Sequence, residues 1–296
     1  MIQMAKNKAY WKRRERENIS KQIKDDKVVA NKIKRNQRRA MDDIQEQIDA
    51  FYGRYAAKEG ITMIEAKKRA TKLDIKKYRS KAKRYVKEKN FSPQANEQMR
   101  LYNVTMKTQR LELLKANINL ELSAMTNEDE RYLLEKFTRG AKEEYERQAG
   151  ILNETLNYNE KHIESIVNSS FNNAEWSTRL WDNQDALRSE LDRLLNRSIV
   201  QGKNPREMAR ELRKKFDSSI YNSERLMRTE TARVQQDVFQ DSAKQADVEQ
   251  YIFIAEIDAC DICAAIDGQV FKLKDAVIGD NAYPIHPFVV AHQHFM

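Results

Sequence analysis

The chain has 296 residues, with 54 Lys+Arg against 45 Asp+Glu for a formal net charge of +9; a third of it is charged, and only seven residues are glycine and four proline. That length can bury a real core in one large or two modest domains, and the scarcity of turn formers calls for long helices with few connections. Charges from Lys6 onward argue against a signal peptide, no window approaches the roughly 18 apolar residues of a membrane span, and two cysteines with no disulfide framework fit synthesis in a reducing cytoplasm.

The charge is unevenly placed. Residues 1–90 hold 28 Lys+Arg against 12 Asp+Glu, whereas the rest of the chain is net acidic. A basic segment on an acidic body points to a polyanion or an acidic protein partner, although such runs are also common on solvated helix faces.

Residues 6–50 read as helix, with sparse apolar positions at Ile19, Ile23, Val28, Ile33, Met41, Ile44, Ile48 and Phe51. So thin a stripe buries little by itself and is expected to lean on a partner or to be partly mobile. After a break between Gly53 and Gly60, Thr62 and Glu65 form a capping-box pattern that opens a strongly basic helix over 67–89. There Tyr78 and Tyr85 share a face among Lys76, Lys77, Arg79, Lys81, Lys83 and Arg84, the candidate nucleic-acid contacts. The rings suit stacking on bases, or packing under snorkelling lysines.

Ser92-Pro93 marks a helix start, and Leu101, Val104, Leu111, Leu114, Ile118, Leu122 and Met125 keep a helical period from there. Thr126-Asn127-Glu128-Asp129 reads as the start of a second helix ending near Gly150, so the pair is expected to form an antiparallel hairpin. Residues 153–173 read as a weak helix and connector carrying His162 on the surface, with Trp176 and Trp181 beyond it as apolar anchors. Three neighbouring helices follow: one carries Leu187, Leu191, Leu194, Leu195 and Ile199 up to Gly202. The next starts at Asn204-Pro205 with Met208, Leu212 and Phe216, and the third starts at Ser223.

The third helix contains Arg228-Thr229-Glu230-Thr231. Arg228 and Glu230, two apart, do not face each other, so any ion pair must reach another element. Glu230 then reads either as a catalytic carboxylate or as a tether to the hairpin that follows, and no histidine, serine or second carboxylate at catalytic spacing supports the former.

The only non-helical pattern lies over 251–287. An apolar run at 251–257 reads as a buried strand, Cys260-Asp261-Ile262-Cys263 as a tight turn, Asp267-Gly268 as a turn signal and 269–271 as a second strand. Two thiols two residues apart, with His286, His292 and His294 downstream, present the donors of a zinc site: Cys260, Cys263 and His286, with His292 or His294 as a fourth ligand. A bare structural turn and a redox pair are the other readings, the latter without the βαβ context of a thioredoxin-like protein.

In order and spacing, the Arg228-Thr229-Glu230 helix, the strand, Cys-x-x-Cys, Asp267-Gly268-x-Val-Phe and the closing Pro284-x-His286-Pro287 resemble the Mu F-like head morphogenesis family. These are the minor capsid, or minor head, proteins of tailed bacteriophages. The resemblance covers roughly residues 182–287. Members of that family usually follow His-Pro with a cysteine-containing, Arg-rich segment. Here Pro287 runs into Phe-Val-Val-Ala-His-Gln-His-Phe-Met, a departure that removes or replaces the usual third and fourth candidate metal ligands and fits a truncated or frame-altered end.

The expected fold is therefore mainly α, with long helices and a helical hairpin in the N-terminal part and a C-terminal helical module carrying a small β-hairpin (α+β). The expected divisions are a basic helical arm (1–90), a helical hairpin and connector (91–173) and a Mu F-like module (174–296). What the resemblance implies is a structural, non-enzymatic component of the phage head or procapsid. It would be made in the bacterial cytoplasm, reside in the virion, associate with the portal protein and other capsid components, and touch packaged double-stranded DNA. The lack of a Gly-rich phosphate loop, of His-Glu-x-x-His and of Gly-x-Ser-x-Gly agrees with the absence of an enzyme. The alternative is a zinc-stabilised, non-specific nucleic-acid-binding protein.

Overall fold

A computed structural model of the chain describes residues 2–56, 110–171, 173–201, 205–257, 259–286 and 291–295. Long helices dominate: α1 (Ile2–Ala56), α2 (Arg110–Leu152), the short α3 (Glu160–Val167), α4 (Trp176–Gln201) and α5 (Pro205–Gln245). Strand β1 (Gln250–Ala255), a one-turn helix α6 (Asp261–Ala265), β2 (Val270–Lys272) and β3 (Ala291–Phe295) follow. The architecture is mainly α with a small antiparallel sheet, as the sequence predicts. No helix among the described residues is long and apolar enough to cross a membrane. The basic helix expected over 67–89, the helix start at Ser92-Pro93, Gly202 and Pro287 lie outside the described residues.

Two predicted helix boundaries are absent. Helix α2 runs unbroken through Thr126-Asn127-Glu128-Asp129, so the expected hairpin break is not there. Thr126, Asn127 and Asp129 are instead buried, and Asp129 is turned to tertiary bonding: Asn36 Nδ2 donates to Asp129 Oδ1 (2.7 Å) and to the neighbouring Met125 O (3.0 Å), and Gln37 Nε2 to Asp129 Oδ2 (3.3 Å). Likewise α5 continues through Ser223, which is buried in mid-helix and is not a cap. The α2 stop near Gly150 is real: the helix ends at Leu152, and Asn153 adopts the left-handed conformation (φ 55°) that releases the chain.

The described parts of the chain fall into two compact units, one from Met1–Lys32, Tyr132–Arg179 and Ser223–Met296, the other from Ile33–Arg131 and Leu180–Asn222. The second is a helical cluster. Met41, Ile44, Ile48 and Phe51 of α1 pack with Leu114, Ile118, Leu122 and Met125 of α2, Leu187, Leu191, Leu194 and Leu195 of α4, and Met208, Leu212 and Phe216 of α5. Each set repeats at three- and four-residue steps, which puts it on one helical face. Burying such a side chain is worth about 1.5–3 kcal/mol, so these sets together outweigh any single polar contact in the unit.

The first unit holds the sheet, of order β2-β1-β3, with both neighbours antiparallel to β1. Strand β1 is apolar at every position from Tyr251 to Ala255 because it is covered on both faces. Successive side chains alternate. Ile252 and Ile254 meet Ile19 and Ile23 of α1, whereas Tyr251 packs with Phe239 and Ala243 of α5, and Phe253 and Ala255 with Ala232 of the same helix. The thin stripe of α1 thus finds cover inside the chain. Its polar gaps are filled as well: Arg147 of α2 donates to both carboxylate oxygens of buried Glu15 (2.7 and 2.8 Å), and Gln22 Nε2 donates to Gln235 Oε1 (2.7 Å).

Strand β3 had no counterpart among the predicted elements. Its backbone pairs Tyr251 with Phe295, Ile252 with His294 and Ile254 with His292. The segment that departs from the usual Mu F-like pattern thus completes the sheet on one side of β1.

Candidate metal site

The site grows from the β1–β2 connection. Beyond Ala255 the chain turns into α6, with Cys260 at its N-cap (φ −64°, ψ 165°) and Cys263 in its first turn; Ala264 N–H donates to Cys260 O at 2.9 Å. One helical turn therefore puts both sulfurs on the same side. The third partner arrives from a distant loop organised by Asn281, whose Oδ1 accepts from Val277 N–H (2.7 Å) and whose Nδ2 donates to Asp275 O (2.9 Å). Tyr251 Oη donates to Asn281 O (3.1 Å), fastening that loop to the sheet.

His286 emerges from this loop with Nε2 3.0 Å from Cys260 Sγ and 3.7 Å from Cys263 Sγ. The three donor atoms lie within 4.8 Å of one another. Cys263 is buried against Ala232, Phe253, Ala255, Tyr283 and Ile285, while Cys260 is exposed. The two thiols are polarised in opposite directions. The Cys263 backbone N–H and then His286 bring the Cys260 thiol down to about 7, and burial, reinforced by the neighbouring Cys260, pushes Cys263 up to about 12. Such a pair is an attackable sulfur beside a sheltered one, or two ligands awaiting a cation.

His294 is not brought to this cluster. It is buried on β3, stacked on Trp11 (centroids 4.4 Å apart), with Nδ1 3.7 Å from Glu15 Oε1. The His292 side chain lies outside the described residues. His162 sits at the start of α3, where its N–H is capped by Asn159 Oδ1 (2.9 Å), and its ring faces Asp241 (Nε2 to Oδ2 3.5 Å). Lys76, Lys77, Arg79, Lys81, Lys83 and Arg84 fall outside the described residues.

Asp267 and Gly268 do more than turn the chain. Gly268 has φ 79°, a conformation suited to glycine, and its N–H donates to Phe253 O (2.7 Å). Asp267 Oδ1 accepts from Ala255 N–H (3.0 Å), closing the end of β1, while Oδ2 accepts from Lys12 Nζ (2.6 Å) and Arg16 (3.3 Å) of α1. One carboxylate therefore ties the sheet turn to the N-terminal helix. Asp267→Asn keeps the Ala255 bond but loses the ion pairs, which are partly exposed, and is expected to cost about 1 kcal/mol. Asp267→Ala loses both and is expected to cost about 1–2 kcal/mol more, because the buried Ala255 N–H is left unpaired. Urea unfolding of the two variants measures the difference; equal costs would mean that the strand-end bond contributes nothing.

Glu230 is fully buried and bonded on both oxygens, but not to the hairpin that the sequence suggests as its tether. Arg233 Nε donates to Oε2 (2.6 Å) and Arg179 to Oε1 (3.2 Å). Arg233, itself buried, also donates to Ile166 O and Val167 O (both 2.8 Å), Ser169 Oγ (2.5 Å) and Asp237 Oδ2 (2.7 Å), and Arg179 donates to Phe171 O. The motif therefore locks α5 to the α3–α4 connection. Thr229 and Thr231 return their hydroxyls to Arg225 O and Met227 O (2.8 and 2.9 Å), the usual fate of mid-helix threonines. Arg228 acts on another element, its charge opposing the burial that raises the Asp26 carboxyl of α1. The helix does reach the Cys-x-x-Cys turn, but through apolar Ala232.

These features define a class: a helix-backed three-stranded sheet carrying a Cys-x-x-Cys turn closed by a histidine, with its charged motif spent on internal cohesion. Residues 189–289, about a third of the chain, match the family model described as Phage Mu protein F like protein, so this segment is Mu F-like and bears out the resemblance to the phage head protein family. No curated protein and no solved structure matches the chain.

Proposed function

We propose that the chain is a minor component of a bacteriophage head that acts in procapsid assembly, sits at the portal vertex and touches packaged double-stranded DNA through its basic N-terminal third. The observation that carries the reading is the Mu F-like segment at 189–289, which spans the second half of α4, all of α5, the β1–β2 hairpin and the Cys-x-x-Cys turn. The role is structural rather than catalytic: Glu230, the one carboxylate that invites a catalytic reading, is sealed between Arg179 and Arg233.

The charge excess of residues 1–90 supports the DNA contact. Within α1, Lys12 and Arg16 are engaged by Asp267, but Lys21, Lys24 and Lys27 stand exposed at successive helical turns, a spacing that suits backbone phosphates. The intact protein is expected to bind duplex DNA of any sequence, with affinity falling steeply between 50 and 200 mM salt. Reversing Lys21, Lys24 and Lys27 to Glu is expected to weaken binding about tenfold or more and to flatten the salt slope.

Two readouts test the whole. Cross-linking in infected cells should join the chain to portal protein, and purified procapsids should contain it. Retained DNA binding with no trace of the chain in procapsids would favour the zinc-stabilised nucleic-acid-binding protein instead. Absence of DNA binding at low salt would remove the genome contact and leave the assembly role to the procapsid result.

A further inference from the structure

We propose that Cys260, Cys263 and His286 bind one zinc(II) ion through two thiolate sulfurs and Nε2, with a solvent molecule as fourth ligand. The head-assembly reading neither requires nor supplies this site. Zinc bonds of about 2.3 Å to sulfur and 2.0–2.1 Å to nitrogen at tetrahedral angles set the ligands about 3.5–3.8 Å apart. Cys263 Sγ already stands 3.7 Å from His286 Nε2; Cys260 Sγ, at 3.0 Å, needs to open by only about half an ångström, and it lies on the exposed side of the turn.

Three further observations point to a cation. The donors converge from segments more than twenty residues apart, and the Asn281 loop and the Tyr251 bond that aim His286 stand independently of any ligand. An apolar wall of Phe253, Ala255, Tyr283 and Ile285 shelters Cys263, while exposed Cys260 leaves an entry path and room for the solvent ligand. No carboxylate belongs to the cluster among the described residues, so the donor set is soft and selects zinc over magnesium or calcium. Binding is balanced without an oxidant: each thiol gives its proton to solvent, and the two thiolates offset the charge of the ion. The metal would staple the α6 turn to the loop at 286.

The test uses untagged full-length protein purified without chelator from zinc-supplemented cells. Elemental analysis is expected to find about one zinc per chain, and cobalt(II) in its place should show thiolate charge-transfer and tetrahedral d–d absorption. Cys260→Ser at an exposed position and His286→Gln at a half-buried one should keep the far-UV spectrum and lower zinc affinity at least about tenfold by chelator competition, with His162→Gln unchanged as control. Less than about a tenth of an equivalent of zinc after reloading, with both thiols free by titration, would overturn the proposal. So would a Cys260–Cys263 disulfide in freshly purified protein, or variants that hold zinc as tightly as the parent.

Discussion

Arg233→Ala is expected to lower the free energy of unfolding by about 3–5 kcal/mol, the largest loss from any single polar side chain in the first unit. The guanidinium, 1 % exposed, bonds Glu230, Ser169, Asp237 and the carbonyls of Ile166 and Val167. Removing it leaves a buried carboxylate held only by Arg179 and strands two carbonyls at the end of α3. Breaking one side of a buried pair costs far more than the pair is worth as a whole. The double variant Glu230→Gln/Arg233→Met should therefore be less damaged than Arg233→Ala alone, although the carbonyls remain unpaired. Guanidinium titration of the three proteins measures this, and a loss below about 1 kcal/mol for Arg233→Ala would show that water repairs the site.

Asp129→Asn is expected to do the reverse and stabilise the protein at neutral pH. Burial pushes the Asp129 carboxyl up to about 7 despite the bonds from Asn36 and Gln37, and burial pushes Asp26 up to about 6 against Lys136 and Arg228. A carboxyl raised in the folded state above its unfolded value near 3.8 holds its proton more tightly when folded. Its contribution is then greatest below about pH 4 and is lost as pH rises through about 7. Asparagine stays neutral throughout. Its oxygen can accept from Asn36, and a turned Gln37 amide can accept from its nitrogen. The stability gap between Asp129→Asn and the parent should therefore be near zero at pH 4 and grow to about 4 kcal/mol by pH 8, at about 1.4 kcal/mol per pH unit across the window of roughly three units. A gap that does not change with pH would place the titration elsewhere.

Much of this was legible in the residues, and the failures share a cause. Periodicity located the stripes of α2, α4 and α5, and β-branched density located β1, because apolar burial is the strongest signal a sequence carries. The false breaks at Thr126 and Ser223 arose because small polar residues signal helix starts locally, whereas here they are buried in mid-helix, and Asp129 bonds across to α1. Strand β3, Ala-His-Gln-His-Phe, was missed because its alternation is polar and it needs β1 as a template. In the site, the thiol pair and His286 were readable from their donor chemistry. Arg233 was not: as one of 54 basic residues it carries no local mark, and only its burial between Glu230 and the α3 carbonyls sets it apart.

The cover that α1 lays over β1 also sets a timetable for synthesis. Ile19 leaves the ribosome more than two hundred residues ahead of Ile252 and Ile254, the side chains it shelters, and Lys12 and Arg16 precede Asp267 by a still longer stretch. At roughly 5–20 residues per second that interval is about 10–50 seconds. During it the nascent N-terminal segment displays bare isoleucines beside unspent positive charge, within reach of chaperones and polyanions. The stretch from Gln250 onward therefore decides not only the sheet but when the first thirty residues stop being available to other molecules.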